Sequence, residues 1–456
     1  MSTRDDRLDA FFAARVHRRS VLRGAAAAGL GLPAMAAFLE ACQGPGGGGS
    51  QSGRPLTPTF YQWIVDEHPA VQQVNKAFGS QHSLQAKIAP VSGFGIQRFV
   101  AEAKDKNSTW DIYVGMTPFV EMGQLVDAGV IEPWDSYIQK SVLDDLIPSI
   151  RDESTFKGKV YDWPFLLDIT VLAWNADIVQ KAGLDPETAP KTWDALIANA
   201  RRIQQSGAAP FGATFDAHGW RSLCPITYSI STDVYDEQGL FNFTSDAAVE
   251  ALQVMRRLKE VGNPDVLNPG TADGGVNGTP DEGAFTARQV AYYVKYENAP
   301  IRMAAKWPDP TRLRMGALPS VPGGAGATVF WDTGAAVFTY GKNKSTVADY
   351  MKALTYDVGV WQQSIGAGTD QVGQLPPYQS LWNQWRANPP GWLPRWAFFV
   401  YDQLKVSKAI RPGKWGLQQF VIGQPYWQTY LTGEVSDPKK AMQDAMSAVQ
   451  AEVKKG

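Results

Sequence analysis

Cysteine is almost missing from this chain: 456 residues hold two, Cys42 and Cys224. Cys42 reads as the end of an export signal, which leaves Cys224 alone in the expected mature chain, whereas a disulfide framework needs paired cysteines and a cysteine zinc site several thiolates. Both are excluded. Charge is scarce as well. Charged residues make up 19 %, below the roughly 25 % of ordinary domains, and the net charge is −2. That excludes a disordered tail protein and a nucleic-acid binder driven by basic charge, and implies no polyanionic partner. Histidine is rare. Beyond residue 41 only His68, His82 and His218 remain, so no cofactor and no metal site is expected. No His-Glu-x-x-His or Gly-x-Ser-x-Gly occurs, and no glycine fingerprint joins a strand to a helix. No apolar run reaches the about 20 residues of a membrane span. Aromatics are plentiful: 16 Trp, 16 Tyr and 20 Phe. Trp serves equally as core filler or as a flat partner for a ligand ring or cation.

The first residues read as targeting. His17-Arg18-Arg19-Ser20-Val21-Leu22-Arg23 resembles a twin-arginine export motif. The Ala/Gly run from Gly24 to Leu39 follows, and then Leu39-Glu40-Ala41-Cys42, which resembles a lipobox. There the cysteine is acylated and becomes the first residue. Glu40 departs from the usual small residue, and Ala34-Met35-Ala36 offers an ordinary cleavage site instead. The expectation is an export signal over 1–41, lipidation at Cys42, and a flexible Gly-rich tether over 42–54. That places the protein at the outer face of the cytoplasmic membrane.

The rest alternates strand and helix. Residues 57–65 read as a first strand, 84–91 as a second and 110–114 as a third, with helices over 68–78, 96–104 and 117–128. Further on, 160–175 reads as a strand pair and 290–295 as a strand. Helices are expected over 191–206 with Thr192 as cap, 244–261, 346–356, 417–431 and 437–454. Such alternation predicts a parallel, helix-covered sheet, with ligands beyond the carboxyl ends of its strands. That points to 65–69 and 115–118.

An ordered series of segments resembles the bacterial extracellular solute-binding proteins, family 1 and sugar-type, that deliver solutes to ABC importers. Gly158-Lys159-Val160-Tyr161-Asp162-Trp163-Pro164 is followed by Leu172-Ala173-Trp174-Asn175-Ala176-Asp177, by Lys181-Ala182-Gly183-Leu184 and by Pro190-Lys191-Thr192-Trp193-Asp194-Ala195-Leu196. Upstream stand Trp110 to Val114 and Leu125 to Asp135. Downstream stand Phe285 to Ala291, Leu318-Pro319, Pro322-Gly323-Gly324 and Leu431-Thr432-Gly433-Glu434. The resemblance implies an α/β, two-lobed periplasmic-binding-protein-like fold of class II type. Each lobe would be a mainly parallel sheet flanked by helices, with a ligand cleft between them. The expected lobes are 55–165 plus 320–356, and 166–319 plus 357–456. The partners implied are a small-molecule solute, a carbohydrate first of all, and the membrane permease subunits of an importer. The protein would be a monomer and no enzyme.

A sugar cleft needs flat rings and groups that hold hydroxyls. Asp168 stands where sugar-binding relatives place a carboxylate, although it could equally cap a turn. Trp63, Asp66 and Glu67 follow the first strand; Trp63 is core if alternation with Tyr61 and Val65 holds. Met116 and Thr117 end the third strand, with a helix cap as the alternative. Tyr296-Glu297-Asn298 stands where relatives have Gly-x-Trp, and Trp331-Asp332 where they have Gly-Gly. Trp220, near His218, and Trp392 and Trp396 lie in loops, while Trp174 and Trp193 belong to scaffold motifs. Two other readings stay open. The same fold could bind a polyamine through aromatics and acids, or the chain could be a secreted two-carboxylate glycosidase. Tyr292-Tyr293 could suggest iron, but neighbours on a strand face opposite ways.

Overall fold

The computed structural model describes residues 54–84, 96–262, 264–267, 280–366, 372–394 and 396–455. The export motif, Cys42, the tether and most of the second expected strand lie outside them. Among the described residues eleven strands occur: β1 (Pro58–Phe60), β2 (Ile112–Met116), β3 (Ile131–Glu132), β4 (Thr155–Phe156), β5 (Lys159–Val160), β6 (Trp163–Asn175), β7 (Phe211–Phe215), β8 (Val290–Tyr296), β9 (Leu313–Gly316), β10 (Val329–Phe338) and β11 (Lys408–Ala409). The main sheet runs β1-β2-β10-β6-β8-β7, with β3 and β11 on β10 and β9 on β6.

Two long strands organise everything. β6 is buried along its whole length and reads as a continuous apolar run broken at Asp168 and Thr170. Its first half pairs antiparallel with β10, from Trp163↔Ala335 to Ile169↔Phe330. Its second half pairs antiparallel with β8, from Thr170↔Tyr296 to Trp174↔Tyr292, and with β9. Among the described strands, parallel pairing joins β1 to β2, β7 to β8 and β10 to β11. The expectation of mainly parallel sheets is therefore corrected along the middle, where β6 and β10 return past one another.

Helix ends follow their caps. Thr192 Oγ1 accepts from Ala195 N–H at 3.1 Å and opens the helix Trp193–Gln205. Ser245 opens Asp246–Glu260 in the same way. One expectation fails at the amino end. The aromatic and β-branched run does not stay extended to residue 65: the strand stops at Phe60, and a helix spans Gln62–Glu67. That turn buries Ile64, and a second helix starts at Pro69, a residue suited to a first helical position. Asp66 and Glu67 therefore end a helix and not a strand.

The residues after 357 divide between two sides. Trp361 packs edge-on to Phe165 at 5.8 Å, and Ala70 N–H donates to Gln363 Oε1 at 3.1 Å. Trp382 and Tyr401 join the same core, which also holds Phe60, Ile64 and Val114. Up to Leu404 this stretch shares one core with Phe60, Ile64 and Val114 of the expected first lobe and with Tyr293 and Ile301 of the expected second. The helices Gln418–Thr432 and Pro438–Val453 pack with Asp246–Glu260, around Phe243 and Trp427. Among the described residues no helix is long and apolar enough to cross a membrane.

Candidate functional site

Strand pairing builds the site. Trp331 on β10 lies opposite Asp168 on β6, so both side chains stand on one face of the sheet. β8 ends at Tyr296, and the next two residues, Glu297 and Asn298, return against β6. Ile169 N–H donates to Glu297 Oε2 at 2.6 Å, and Glu297 N–H donates to Ile169 O at 3.0 Å. Asn298 Nδ2 donates to Asp168 Oδ1. Arg302, one helical turn on, donates from Nη2 to Asn298 Oδ1 at 2.9 Å and lies 3.6 Å from Glu67 Oε2.

Three rings close around Trp331. Trp220 lies 5.0 Å away, Tyr296 5.6 Å and Phe119 6.3 Å, all edge-on. Phe119 and Trp220 also meet, at 5.4 Å. Both ride on π-helical turns, Pro118–Met122 and Gly219–Leu223, a wide geometry that often marks functional positions. The Arg221 guanidinium lies over Trp220 at 4.1 Å and over Tyr296 at 5.1 Å.

Beneath this layer is an ion cluster. Lys295 is fully buried, ion-paired with Asp216, with Asp281 at 2.9 Å and with Glu282 at 3.5 Å. Asp216 also accepts from Arg221 Nη1 at 3.3 Å and sits 2.6 Å from His218 Nδ1. These cations hold the Asp216 carboxyl well below the usual range despite its burial. Asp168 differs. Burial pushes its carboxyl up to about 7, against the pull of Arg302, Asn298, Arg221 and Trp331. Burial, and then the Asp168 charge, push Glu297 well up too.

Several buried polar atoms here meet no hydrogen-bond partner: Glu297 Oε1, Arg302 Nη1 and Gln374 Oε1. His68 is fully buried and stands 5.7 Å from the Trp63 ring. Burial depresses its imidazole to about 3, so the ring is neutral at physiological pH. Gly373 brings the Gln374 segment in. Its φ of +101° and its backbone contact with Asn298 leave no room for a Cβ.

The structure thus gathers Asp168, Trp331, Tyr296, Glu297, Asn298, Trp220 and Glu67, with Thr117 bridged to Thr333 at 3.2 Å between hydroxyls. Other candidates go elsewhere. Met116 is core beside Phe99 and Trp110. Asp66 is exposed and bonded to Gln62. Trp63 packs on the core beside Tyr61 and His68. Trp392 packs edge-on to Trp385 at 5.3 Å, and Trp396 against the same helical cluster. Sequence reasoning missed Arg302, Arg221, Phe119, His68 and Gln374; only the fold brings Arg302 to Glu67, Arg221 to Tyr296 and Phe119 to Trp331. Tyr292 and Tyr293 do face apart, to Asn199 and Asp281.

Asp332 points away from Trp331. Its carboxyl accepts from Phe165 N–H at 3.0 Å, and its own N–H donates to Glu153 Oε1 at 3.3 Å. With Asp162 these make a buried acid triad around Gly334, where a Cβ would strike both aspartate carboxyls. Burial pushes Asp162 up to about 8, and burial with mutual repulsion pushes Asp332 and Glu153 well above the usual range. An unfolded Asp ionises near about 3.9. Between about pH 4 and 8 the unfolded chain therefore releases a proton that the folded chain keeps, and stability falls as pH rises. Asp162→Asn removes that group, so its melting temperature should drop less from pH 5 to pH 8 than that of wild type. Parallel melting curves at the two pH values for both proteins would refute this.

Among the described residues no His/Cys/Asp/Glu group could hold a metal ion. The family model of bacterial extracellular solute-binding protein matches residues 65–359. A probable ABC transporter-binding protein of Deinococcus radiodurans is 28 % identical over 221 residues, 46 % of this chain and 50 % of that one. The mannitol-binding protein of Pseudomonas aeruginosa is 33 % identical over 148 residues, 31 % of this chain and 34 % of that one. The chain thus spans half or less of the length of these curated relatives. Among solved structures, the GacH receptor of Streptomyces glaucescens, studied unliganded and with acarbose, aligns with a TM-score of 0.68. It is 18 % identical, over 87 % of this chain and 98 % of that one.

Proposed function

Because the chain belongs to the bacterial extracellular solute-binding proteins, we propose that it captures a carbohydrate or polyol around Asp168 and delivers it to the permease subunits of an ABC importer. The observation that carries this reading is one wall with two kinds of group. Trp331, Trp220, Tyr296 and Phe119 supply apolar ring faces and edges. Asp168, Glu297, Asn298 and Arg302 supply buried donors and acceptors, some without partners. A ligand hydroxyl that satisfies such an atom removes a penalty of about 1–3 kcal/mol. The mannitol-binding relative and the acarbose-bound receptor support the substrate class. Hinge closure of two lobes is the proposed motion, with the two faces of the family cleft brought together on the solute. Residues 358–404 join the first lobe in this proposal. Export through the twin-arginine signal and anchoring through acylated Cys42 belong to the same proposal, as does action without chemical turnover.

The test is a thermal-shift panel of mannitol, maltose, mannotriose, tagatose and putrescine, followed by calorimetry on any hit. A ligand of the folded state raises the melting temperature. The expected result is a shift with at least one carbohydrate, with affinity unchanged between 0.05 and 0.5 M salt, as a neutral solute requires. A response to putrescine alone, falling with salt, would favour the polyamine reading. Release of free sugar from glycosides would favour an enzyme.

A further inference from the structure

We propose that Arg221 sets the charge selectivity of this cleft, admitting polyhydroxylated solutes and refusing ammonium-bearing ones. The inference rests on the carbohydrate reading above and adds to it the residue that excludes the polyamine alternative.

Rings beside buried carboxylates form, in general, a good site for an organic cation. Here the cation is built in. The Arg221 guanidinium covers a face of Trp220 at 4.1 Å and of Tyr296 at 5.1 Å. Trp220 turns its other contacts to Trp331 and Phe119. An ammonium ligand seeking either covered face would meet a fixed like charge in its place. The guanidinium is also held. Asp216 accepts from its Nη1 at 3.3 Å and is itself fixed by Lys295 and His218. Withdrawing Arg221 from the rings would expose a buried carboxylate to a lost partner. Asp168, the acid a ligand ammonium would use, is faced by two guanidiniums, Arg302 and Arg221. Guanidinium carries donors and no acceptor, so it suits hydroxyl, ether or carboxylate oxygens and offers nothing to an ammonium.

Arg221→Met tests this, because Met keeps an apolar stem over Trp220 without the charge. Calorimetry and thermal shift would be run on the full chain with putrescine and with the best carbohydrate of the panel. Wild type should refuse putrescine. Arg221→Met should weaken carbohydrate binding at least tenfold and gain salt-dependent putrescine binding. Arg221→Lys, which keeps the charge but not the planar stack, should still refuse putrescine. Arg221→Gln supplies the neutral variant if Met proves unfolded by its melting curve. Putrescine binding by wild type, or an unchanged putrescine-to-carbohydrate ratio in the neutral variants, overturns the charge filter alone. Refusal by wild type and gain of putrescine by the variants, with no carbohydrate bound by any of them, overturns the carbohydrate reading and leaves the filter standing.

Discussion

Asp168→Ala is expected to weaken carbohydrate binding about a hundredfold or more, or about 2.8 kcal/mol at about 1.4 kcal/mol per tenfold. The size follows from how many groups converge on this carboxylate. Asn298 donates to it, Trp331 lies opposite it across the strands, and Arg302 and Arg221 face it. A hydrogen bond from a solute hydroxyl to such a group is worth about 1.5–3 kcal/mol. Truncation also strips the Asn298 amide and the Arg302 guanidinium of their neighbour, so they enter the complex mispaired. Asp168→Asn keeps the shape and should lose less. Calorimetry on both variants, with melting curves to show they are folded, decides the matter. Affinity within threefold of wild type for Asp168→Ala would remove Asp168 from the site.

Lys295→Met should destabilise the fold by about 3–5 kcal/mol, the usual cost of removing one partner from a buried ion cluster. Lys295 has no exposed surface and holds Asp216, Asp281 and Glu282 together. Desolvation alone would strip its proton, yet the three carboxylates hold the ammonium above its usual range. Without it, Asp216 and Asp281 are left as like charges in a dry interior. Tyr293, which donates to Asp281 at 2.5 Å, cannot neutralise them. The check is the urea midpoint and slope of variant and wild type. A loss under 1 kcal/mol would mean that the cluster is wetter than its geometry indicates. A double variant, Lys295→Met with Asp281→Asn, should recover part of the loss, because the two positions are directly coupled.

Local chemistry was legible where it was local. Thr192 caps its helix as its neighbours suggest, and the apolar stripe through Ala441, Met442, Ala445 and Val449 is buried as its spacing requires. Trp174 and Trp193 proved to be scaffold, each with its indole N–H bonded inside the body. Asp168 and Trp331 were identified separately, but nothing in either segment says that they face each other. That fact belongs to the β6/β10 register, which joins positions 163 residues apart in the chain. Arg221 and Arg302 were missed for the same reason. An arginine beside a tryptophan is unremarkable until Tyr296 arrives from elsewhere, and Arg302 until Glu67 does. Asp332 was misread in the opposite sense. It shares a dipeptide with Trp331, but strand alternation sends it to the acid triad. The run 57–65 failed because β propensity is a weak guide where tertiary packing wants Ile64 inward on a helical turn.

The single strand β6 has a consequence for any attempt to take the molecule apart. One half of its backbone is hydrogen-bonded to β10 and the other half to β8 and β9. A gene fragment ending anywhere between Trp163 and Asn175 would leave unmated edges in both pieces, each an invitation to aggregate. Neither half of the body should be expressible alone as a soluble module. A split reporter or chimera built from this chain would have to carry β6 whole and exchange what surrounds it.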